Sequence, residues 1–571
     1  MFPPTPRPWL KLYAEGVPAD VPFPTEPVHT ALETAADLYR DRPALDFMGR
    51  RTSYAELWEQ VLVAARALAG RGVGPGSVVA IALPNCPQHV VAFNAVLRLG
   101  AIVVEHNPTY GAAQFAEQLA DCGATCVIAW DKVAPVIAGQ VDRDRVDLIS
   151  VDMTAALPLV KRLALRLPVA KARRLRGELT AGRRGGTARW EDLARGRRRL
   201  DPATPAPRPA DVAVIQYTGG TTGTPKGAVL THANLVANAT QSVSWVPSLI
   251  SGEEVFYAVL PFFHVFGLTL NLLAPVRVGG LVALLPKFDV ELFLETQRRL
   301  PGTFLAGVPP MFDRLVGAIE EGGSGRVDLT SFRHAISGAM ALPARVARRW
   351  EAATGGMLVE GYGLTESSPI ALGNPVSAAR RPGTLGVPFP STQMRIADLD
   401  DPRRDAAAGA AGELWVRGPQ VFQGYLNRPE ETAACLTPDG WLRTGDVVQP
   451  DEDGFIRLVD RIKEVIITGG FNVYPSQVEN HLALMPQVAE VAVVGIPHGD
   501  LGERVVAAVV LRIGGKLDLG QVRAWCADRL SRYAIPKQLV LMTELPRLQV
   551  GKVLRRVVRS QILASEASEP N

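Results

Sequence analysis

The feature that most constrains this chain is a repeated change of hydrophobic period between residues 30 and 130. Ser53 and Glu56 form a capping box before LWEQVLVAARAL, which predicts a helix that is followed by Gly70. SVVAIAL then predicts a strand, HVVAFNAVLRL a helix, and AIVVEH another strand. Helices that alternate with buried strands imply an α/β architecture with largely parallel sheets.

A different pattern occupies the C-terminal part of the chain. The sequence has 571 residues, which is too long for one ordinary domain. After residue 400, AGELWVRGPQVFQGY and DGFIRLVDRIKEVIITGG are rich in β-type residues and turn glycines. From Pro475, a helix, two strands, a helix, a strand and a final basic helix predict a small α+β domain. We therefore predict a large domain over residues 1–459 and a small one over residues 464–571.

The N-terminal sequence and the cysteines favour a cytoplasmic protein. MFPPTPRPWLKLYAEGVPADVPF contains prolines and acidic residues and has no apolar core, so it predicts neither a secretion signal nor a membrane anchor. The five cysteines are odd in number and lie in mostly apolar surroundings, which suits reduced thiols. Residues 265–285 are apolar and long enough to span a membrane. Pro275, Arg277, Gly279 and Gly280 interrupt them, so we expect a buried helix followed by a buried strand.

Positive charge is concentrated in one segment. Residues 161–200 contain fourteen Lys or Arg against three Asp or Glu, a local balance of +11 in a chain whose total is +4. KRLALRLPVAKARRLRGEL suits a helix that contacts an anionic membrane surface through residues 161–199, and the RRGGTARWEDLARGRRRLDPATPAPRP stretch suits a flexible linker. A solvated basic loop remains the alternative. We expect no nucleic-acid partner, because the basic run has a single aromatic residue, Trp190, and no recognisable binding module.

The strongest local motif is YTGGTTGTPKGA at residues 217–228, after the strand-like DVAVIQ. Its glycines let the backbone approach a phosphate, its threonine hydroxyls can donate to phosphate oxygens, and Lys226 supplies a positive charge. It is not a Walker A loop, because that loop has Ser or Thr after Gly-Lys, whereas Pro225 precedes Lys226 and Gly227 follows it. The motif predicts a phosphate-binding loop, with a plain glycine-rich turn as the alternative.

This loop resembles the signature of the adenylate-forming superfamily, which includes acyl-CoA synthetases, firefly luciferases and peptide-synthetase adenylation domains. Further motifs similar to those of the superfamily follow in order: LPFFHVFG (260–267), EGYGLTES (360–367), GELWVRGPQVFQGY (412–425), DGWLRTGD (439–446), DRIKEVIITGGFNVYPSQVE (460–479) and PRLQVGKVLRR (546–556). The sequence looks most similar to bacterial long-chain fatty-acid CoA ligases, through WLKLYAEGVPADV, EHNPTY, the FNVYP turn and Val550 before Gly-Lys. The resemblance implies a large domain of α/β sheets with a β-barrel-like part, and a small mobile α+β lid.

The resemblance implies a reaction in which ATP and a fatty acid form an acyl-adenylate, from which coenzyme A takes the acyl group. Glu366 would bind Mg²⁺ as a hard oxygen donor, Thr365 would contact the α-phosphate, and Tyr362 would lie against the adenine. Asp446 would bind the ribose hydroxyls with support from Arg461. The full set implied for ATP and AMP is Thr218, Gly219, Gly220, Thr221, Thr222, Gly223, Lys226, Gly361, Tyr362, Gly363, Asp446 and Arg461.

The acyl and thioester steps are also assigned by the resemblance. Lys552 would bridge the incoming carboxylate and the adenylate phosphate, and His264 would border the acyl carboxylate and help guide the thiol step. Because Lys552 must leave before the thiol arrives, the small domain would rotate about a hinge from Asp460 to Lys463. The coenzyme A side would contain Gly469, Gly470 and Phe471. The candidate acyl pocket comprises Val265, Phe266, Gly267, Gly338, Ala339 and Met340.

Several alternatives stay open at this point. An aryl-CoA ligase, a fatty acyl-AMP ligase and a free-standing amino-acid adenylation domain share the motifs. Three candidate pocket segments, VFGL (265–268), TFLAGVPPMF (303–312) and SGAM (337–340), carry no charged residue, which favours a medium- to long-chain alkyl group. Only SQILASEASEPN follows RRVVR, so we expect no carrier domain in cis. A non-catalytic lipid-binding protein that docks on membranes is the alternative from another class.

Overall fold

The computed structural model describes residues 7–182, 187–218, 225–322, 327–468, 471–498, 502–527, 529–547 and 553–568. The chain divides into two compact units. The first unit contains residues up to Gln393 together with Arg417–Leu442, and the second contains Met394–Val416 together with the chain from Arg443 onwards. The hinge predicted from Asp460 to Lys463 lies inside the second unit, and it stays a prediction.

The strands are numbered along the chain as follows: β1 (Pro43–Phe47), β2 (Arg50–Ser53), β3 (Val78–Ala82), β4 (Ile102–Glu105), β5 (Cys126–Trp130), β6 (Asp147–Val151), β7 (Ala188–Arg189), β8 (Val212–Thr218), β9 (Lys226–Thr231), β10 (Val255–Ala258), β11 (Leu281–Leu284), β12 (Phe304–Gly307), β13 (His334–Ser337), β14 (Met357–Gly363), β15 (Ile370–Gly373), β16 (Val387–Pro388), β17 (Gln393–Ala397), β18 (Gly412–Arg417), β19 (Gly424–Tyr425), β20 (Leu442–Pro450), β21 (Ile456–Arg461), β22 (Ile466–Thr468), β23 (Phe471–Val473), β24 (Val488–Pro497), β25 (Glu503–Leu511) and β26 (Gln538–Leu541).

The α-helices are α1 (Thr30–Leu38), α2 (Tyr54–Ala69), α3 (Pro87–Arg98), α4 (Ala112–Cys122), α5 (Ala134–Ala138), α6 (Leu159–Ala164), α7 (Ala170–Leu179), α8 (Trp190–Leu193), α9 (His232–Ser244), α10 (Val265–Leu268), α11 (Ala274–Arg277), α12 (Val290–Arg299), α13 (Pro309–Glu320), α14 (Ala344–Thr354), α15 (Pro429–Cys435), α16 (Pro475–Leu482), α17 (Leu519–Ala527) and α18 (Arg555–Ser568). Short 3₁₀ turns cover Pro8–Leu12, Met153–Ala156, Thr365–Ser367 and Ile462–Glu464, and a π-helical turn covers Thr269–Leu273.

Two large sheets form the first unit. One has the order β16-β15-β14-β13-β12-β10-β11-β1-β2, and the other has the order β19-β9-β8-β4-β3-β5-β6-β7. Neighbouring strands are parallel from β14 to β1 in the first sheet and from β8 to β7 in the second. The predicted α/β architecture with largely parallel sheets is therefore confirmed.

Local sequence signals account for several of these elements. The Ser53 side chain accepts from the backbone amide of Glu56 at 3.2 Å, and the Glu56 carboxylate accepts from the amide of Ser53 at 2.9 Å. This is the predicted capping box, and it satisfies two amides that the first turn of α2 leaves unpaired. Residues 265–285 form short buried helical turns followed by the buried strand β11, as expected. Among the described residues, every helix is too short or too polar to cross a bilayer.

The predicted flexible linker after the basic run is wrong for residues 187–193. Strand β7 pairs in parallel with β6, and helix α8 follows it directly. Trp190 begins α8 and is buried. The arginine-rich flanks hide this signal in the sequence, because one tryptophan supplies the apolar surface that holds the segment in place.

The second unit contains three smaller sheets. Strands β17, β18, β20 and β21 form one sheet in that order, β22 pairs with β23, and β24, β25 and β26 form the third. Successive residues of β24 and β25 point to opposite faces of the third sheet. Val493 and Val505 pack in a core with residues of α16 and α17, whereas Val494 and Val506 pack with residues of α18. This layered arrangement is the predicted small α+β domain.

Candidate active site

The hairpin of β8 and β9 frames the predicted phosphate-binding loop. The strands pair in antiparallel fashion, and the register places Thr218 opposite Lys226. A methyl group at Gly227 would lie 2.8 Å from the Ile215 side chain, so the close packing of the two strands requires glycine there. Five predicted phosphate-binding residues lie outside the described residues: Gly219, Gly220, Thr221, Thr222 and Gly223.

Lys226 and Glu366 are brought together by a third residue, Tyr425. Strand β19 pairs with β9, and its Tyr425 lies opposite Ala228. The Tyr425 hydroxyl donates to Oε1 of Glu366 at 2.5 Å, and Nζ of Lys226 lies 5.2 Å from the centre of the Tyr425 ring. Burial, followed by the charge of Glu366, raises the pKa of Tyr425, so its hydroxyl keeps its proton as a donor.

The turn that contains Glu366 (Thr365–Ser367) is fixed by hydrogen bonds and by close packing of the backbone around it. The backbone carbonyl of Glu366 accepts from the amide of Phe422 at 2.9 Å. A methyl group at Gly363 would lie only 2.0 Å from the carbonyl oxygen of Pro369, so the chain can reverse here only with glycine. Asn238 of α9 pairs with the backbone of Ile370 through both ends of its amide, at 2.7 and 3.0 Å.

The remaining predicted nucleotide residues of the first unit lie on or beside this turn. Gly361, Tyr362 and Gly363 end β14, with Tyr362 opposite Leu372 of β15. Thr365 begins the 3₁₀ turn that contains Glu366. Sequence order alone places these residues near Glu366, whereas the pairing of β19 with β9 brings Lys226 to the same group.

His264 precedes α10 and is partly exposed. Its Nδ1 accepts from the backbone amide of Phe266 at 3.4 Å, a long contact that favours a proton on Nε2. Although part of the residue is exposed, the surrounding protein desolvates the ring and lowers the pKa of His264, so the ring is neutral at physiological pH. A neutral imidazole can donate from one nitrogen without bringing a fixed positive charge.

The candidate acyl-pocket residues are only partly assembled. The Phe266 ring lies against Gly338, where an added methyl group would be 2.8 Å from the ring. Val265 and Gly267 are buried, whereas Ala339 is exposed and adopts a positive φ of 64°. Met340 is partly exposed. In this conformation the space beside Gly338 is filled by Phe266, so an acyl chain at that position would require the ring to move.

In the second unit, Asp446 and Arg461 lie opposite each other on β20 and β21. Nε of Arg461 is 3.0 Å from Oδ1 of Asp446, and the aspartate is almost fully buried. The amide of Asp446 donates to Oγ1 of Thr444 at 3.1 Å, which fixes the turn before it. The two side chains form an ion pair, and their role at the ribose stays a prediction.

The predicted hinge and lid residues show one interaction that the sequence did not reveal. The guanidinium of Arg555 contacts Asp460 at 3.4 Å, Oε1 of Glu479 at 2.8 Å and the carboxylate of Glu464. Asp460 is buried, and this burial raises its pKa even though Arg555 opposes the change. Lys463 is exposed. Arg555 is the third residue after Lys552 in the final motif, which is the signal that could have identified it.

Three further predicted residues are Gly469, Gly470 and Lys552, and they lie outside the described residues. Phe471 is described, and its exposed ring stacks on Tyr533 with centres 4.5 Å apart. Tyr425 ends the motif GELWVRGPQVFQGY, and the sequence alone gives it no role. Its place at the end of that motif was the available signal.

Known proteins are similar to this chain over nearly its whole length. It is 36% identical over 551 residues to the long-chain-fatty-acid–CoA ligase of Bacillus subtilis (strain 168), covering 96% of this chain and 97% of that protein. It is 34% identical over 534 residues to the indoleacetate–CoA ligase of Aromatoleum aromaticum (strain DSM 19018 / LMG 30748 / EbN1), covering 93% and 97%. The crystal structure of ATP-bound MatB from Rhodopseudomonas palustris has 29% identity and a TM-score of 0.79, covering 94% of this chain and 99% of that chain.

Two family profiles also match. The profile described as "AMP-binding enzyme" matches residues 32–426, and that described as "AMP-binding enzyme C-terminal domain" matches residues 477–552. The first match contains the β8–β9 hairpin and the turn with Glu366, and the second contains β24, β25 and α17. With these matches and this fold, the chain belongs to the AMP-binding enzyme family.

Proposed function

We propose that this chain is an ATP-dependent ligase that joins medium- to long-chain fatty acids to coenzyme A. The grouping of Lys226, Tyr425 and Glu366 beside the paired ends of the β8–β9 hairpin carries the proposal. That group combines a cation for phosphates with a carboxylate held by a hydroxyl donor. The family membership and the relatives named long-chain-fatty-acid–CoA ligase support the reaction and the class of acid.

In the first step, a carboxylate oxygen of the fatty acid attacks the α-phosphorus of ATP. A phosphorus–oxygen bond to pyrophosphate breaks, and an acyl-adenylate forms. Lys226 would attract the β- and γ-phosphates, Thr365 would contact the α-phosphate, and Lys552 would neutralise charge between the carboxylate and the α-phosphate. These groups act by holding two anions close together and by stabilising the charge of the transition state.

Glu366 is the candidate ligand for Mg²⁺. A magnesium ion is usually held by one or two carboxylates together with phosphates and water, so a single glutamate fits better than a dense cluster. Tyr425 holds Oε1 of that carboxylate and thereby fixes its direction. When bound, the ion supplies positive charge to the departing pyrophosphate.

In the second step, the thiol of coenzyme A gives up its proton and its sulfur attacks the acyl carbonyl carbon, and the carbon–oxygen bond to AMP breaks to release the thioester and AMP. We propose that neutral His264 borders this carbonyl and helps to guide the thiol. Asp446 would accept from the ribose hydroxyls, with Arg461 holding its carboxylate in place. Gly469, Gly470 and Phe471 would lie on the coenzyme A side.

The proposal is tested by ATP–pyrophosphate exchange with acids of graded chain length, with and without coenzyme A. We expect exchange with alkyl acids and thioester formation once coenzyme A is added. Exchange without a thioester would indicate a fatty acyl-AMP ligase, and a preference for aromatic acids would indicate an aryl-CoA ligase. No exchange with any acid would refute the ligase and leave a lipid-binding protein.

We also propose that residues 159–179 dock on an anionic membrane surface. Leu159, Val160 and Leu163 of α6 are 69%, 78% and 52% exposed, and Leu167 follows at 53%. Exposed basic residues occupy the same stretch, including Arg166 and Arg173. Exposed leucines interspersed with arginines match an apolar acyl layer beneath anionic headgroups.

The far end of this segment is anchored to the first unit. Nε1 of Trp130 donates to the carbonyl of Leu179 at 2.8 Å, and Nζ of Lys132 donates to the carbonyl of Gly177 at 2.7 Å. These bonds hold the C-terminal end of α7 at the sheet that contains β5. The exposed apolar side chains thus belong to an attached surface.

Vesicle binding tests the docking proposal. At low salt, the double variant Arg166→Glu/Arg173→Glu should bind vesicles of phosphatidylglycerol and phosphatidylcholine at least tenfold more weakly than the unchanged chain does. The matched control is Arg197→Glu/Arg198→Glu, which makes the same charge change in an exposed stretch of the same basic segment. Substitution is preferable to deletion, because a deletion of residues 161–199 would remove buried Trp190. Equal binding by both variants would refute the docking surface.

A further inference from the structure

The loop that runs from β10 to His264 is hydrogen-bonded to an asparagine that follows a strand of the other large sheet. Asn85 lies between β3 and α3, at the carboxyl end of a parallel strand, and it is almost fully buried. Its Nδ2 donates to the carbonyl of Ala258 at 2.9 Å and to that of Leu260 at 2.8 Å. Its Oδ1 accepts from the amide of Phe262 at 2.9 Å. Because two carbonyl groups accept from its nitrogen and one backbone amide donates to its oxygen, the orientation of the Asn85 side chain is fixed.

A second buried amide holds the next residue of the same loop. Nε2 of Gln216, on β8, donates to the carbonyl of Phe263 at 2.7 Å. The backbone amide of His264 then donates to the carbonyl of Pro261 at 3.1 Å, which closes the turn. The backbone from Ala258 to Phe263 is therefore bonded at four points by two side chains, immediately before the histidine.

Close packing completes the support of this loop. A methyl group at Gly267 would lie 2.2 Å from the carbonyl oxygen of Pro261, so the helix that follows His264 touches the loop that precedes it. The Phe262 ring meets the His89 ring edge to face at 5.4 Å, and His89 is paired with buried Glu105 at 3.0 Å. A displacement of the loop would therefore break several buried contacts at once.

We propose that Asn85, assisted by Gln216, is a positioning residue that sets the place of the His264 imidazole for the thioester step. Asn85 does not itself touch substrate, and it acts by fixing the loop that presents His264. This inference rests on the role of His264 given under the proposed function. The contribution of Asn85 to the rate must then disappear when the imidazole is absent.

A double-mutant cycle with Asn85→Ala and His264→Ala tests this inference. Asn85→Ala should lower kcat for thioester formation at least tenfold, with the KM for ATP changed less than twofold. In the His264→Ala background, the same substitution should lower kcat less than twofold further, because the group being positioned is already gone. The matched control is Gln88→Ala, which removes one hydrogen bond from a neighbouring buried amide to the carbonyl of Asp152 at 3.2 Å. The control should leave kcat within twofold.

A gentler variant covers the case in which Asn85→Ala does not fold. Gln216→Met keeps the length of the side chain and removes only the donor to Phe263. It should lower kcat about threefold or more in the intact protein and have no further effect beside His264→Ala. Multiplicative losses in both cycles, or unchanged kcat in both single variants, would overturn the positioning role. A chain that forms no thioester before any substitution would instead refute the proposed function, and the inference with it.

Discussion

Acidification should destabilise the first unit, because several of its histidines are buried in the neutral form. His106 lies directly after β4 and is fully buried, with Nδ1 2.9 Å from Oε1 of Gln118. Burial lowers its pKa to about 4, whereas the ordinary value is 6.5. Burial also lowers the pKa of His29 to about 3 and that of His232 to about 4.

The direction of the change in stability with pH follows from proton binding. Below pH 6.5 the unfolded chain takes up a proton at His106 that the folded chain does not accept until the pH approaches 4. Stability is therefore complete above pH 6.5 and is lost progressively as the pH falls toward 4. At pH 5.0 this one residue should lower the free energy of unfolding by about 2 kcal/mol relative to pH 7.5.

The measurement is urea unfolding, followed by tryptophan fluorescence, at pH 7.5 and at pH 5.0. His106→Asn keeps a donor near the position of Nδ1 and removes the titrating ring. The loss of unfolding free energy between the two pH values should be smaller in this variant by about 2 kcal/mol. His498→Asn, at an exposed position of the second unit, is the control and should not alter the loss. If His106→Asn loses as much stability as the unchanged chain, buried His106 is not the cause.

Three further predictions concern the reaction itself. Tyr425→Phe keeps the ring beside Lys226 but removes the hydroxyl that orients Glu366. A hydrogen bond to a charged group contributes about 1.5–3 kcal/mol, so kcat/KM for ATP in pyrophosphate exchange should fall tenfold or more. An unchanged kcat/KM would contradict the orienting role. Gly363→Ala should destabilise the chain by about 1–3 kcal/mol in chemical denaturation, because of a backbone oxygen 2.0 Å from the new methyl group. At Gly361 the nearest atom to an added methyl group is 3.5 Å away, so Gly361→Ala should lower the stability much less. Equal losses of stability in the two variants would show that the close approach at Gly363 is unimportant. Lys463→Pro should stiffen the predicted hinge, sparing adenylate formation and slowing thioester formation, and an equal loss in the two assays would argue against a hinge there.

Elements with strong local signals could be predicted from the sequence. The Ser53–Glu56 capping box marks the start of α2, and the proline before SQVENHLAL marks the start of α16. Helix α8 could not be predicted, because its stability depends on Trp190 finding a buried site beside distant strands. Local propensity determines where an element can begin, but tertiary packing determines whether a short one persists.

The candidate site also contains residues that the sequence could predict and residues that it could not. Glu366 and Lys226 stand in recognisable motifs, so their importance could be predicted, and the structure brings both to Tyr425. The part played by Tyr425 depends on the pairing of β19 with β9, which joins segments almost two hundred residues apart. Asn85 shows no motif of its own, because its three hydrogen bonds all go to a backbone that is distant in sequence. Contacts of this kind depend on topology, which a local pattern does not contain.

The register of the β8–β9 hairpin has a consequence for the entropy of nucleotide binding. Because Thr218 already pairs with Lys226, the two ends of the seven-residue segment between them are held together before any nucleotide arrives. Closing a free segment of that length would cost about 2 kcal/mol of chain entropy, and here that cost is met during folding. The interaction energy of the phosphates can then appear as affinity or as stabilisation of the transition state, since little of it is consumed in bringing the loop ends together.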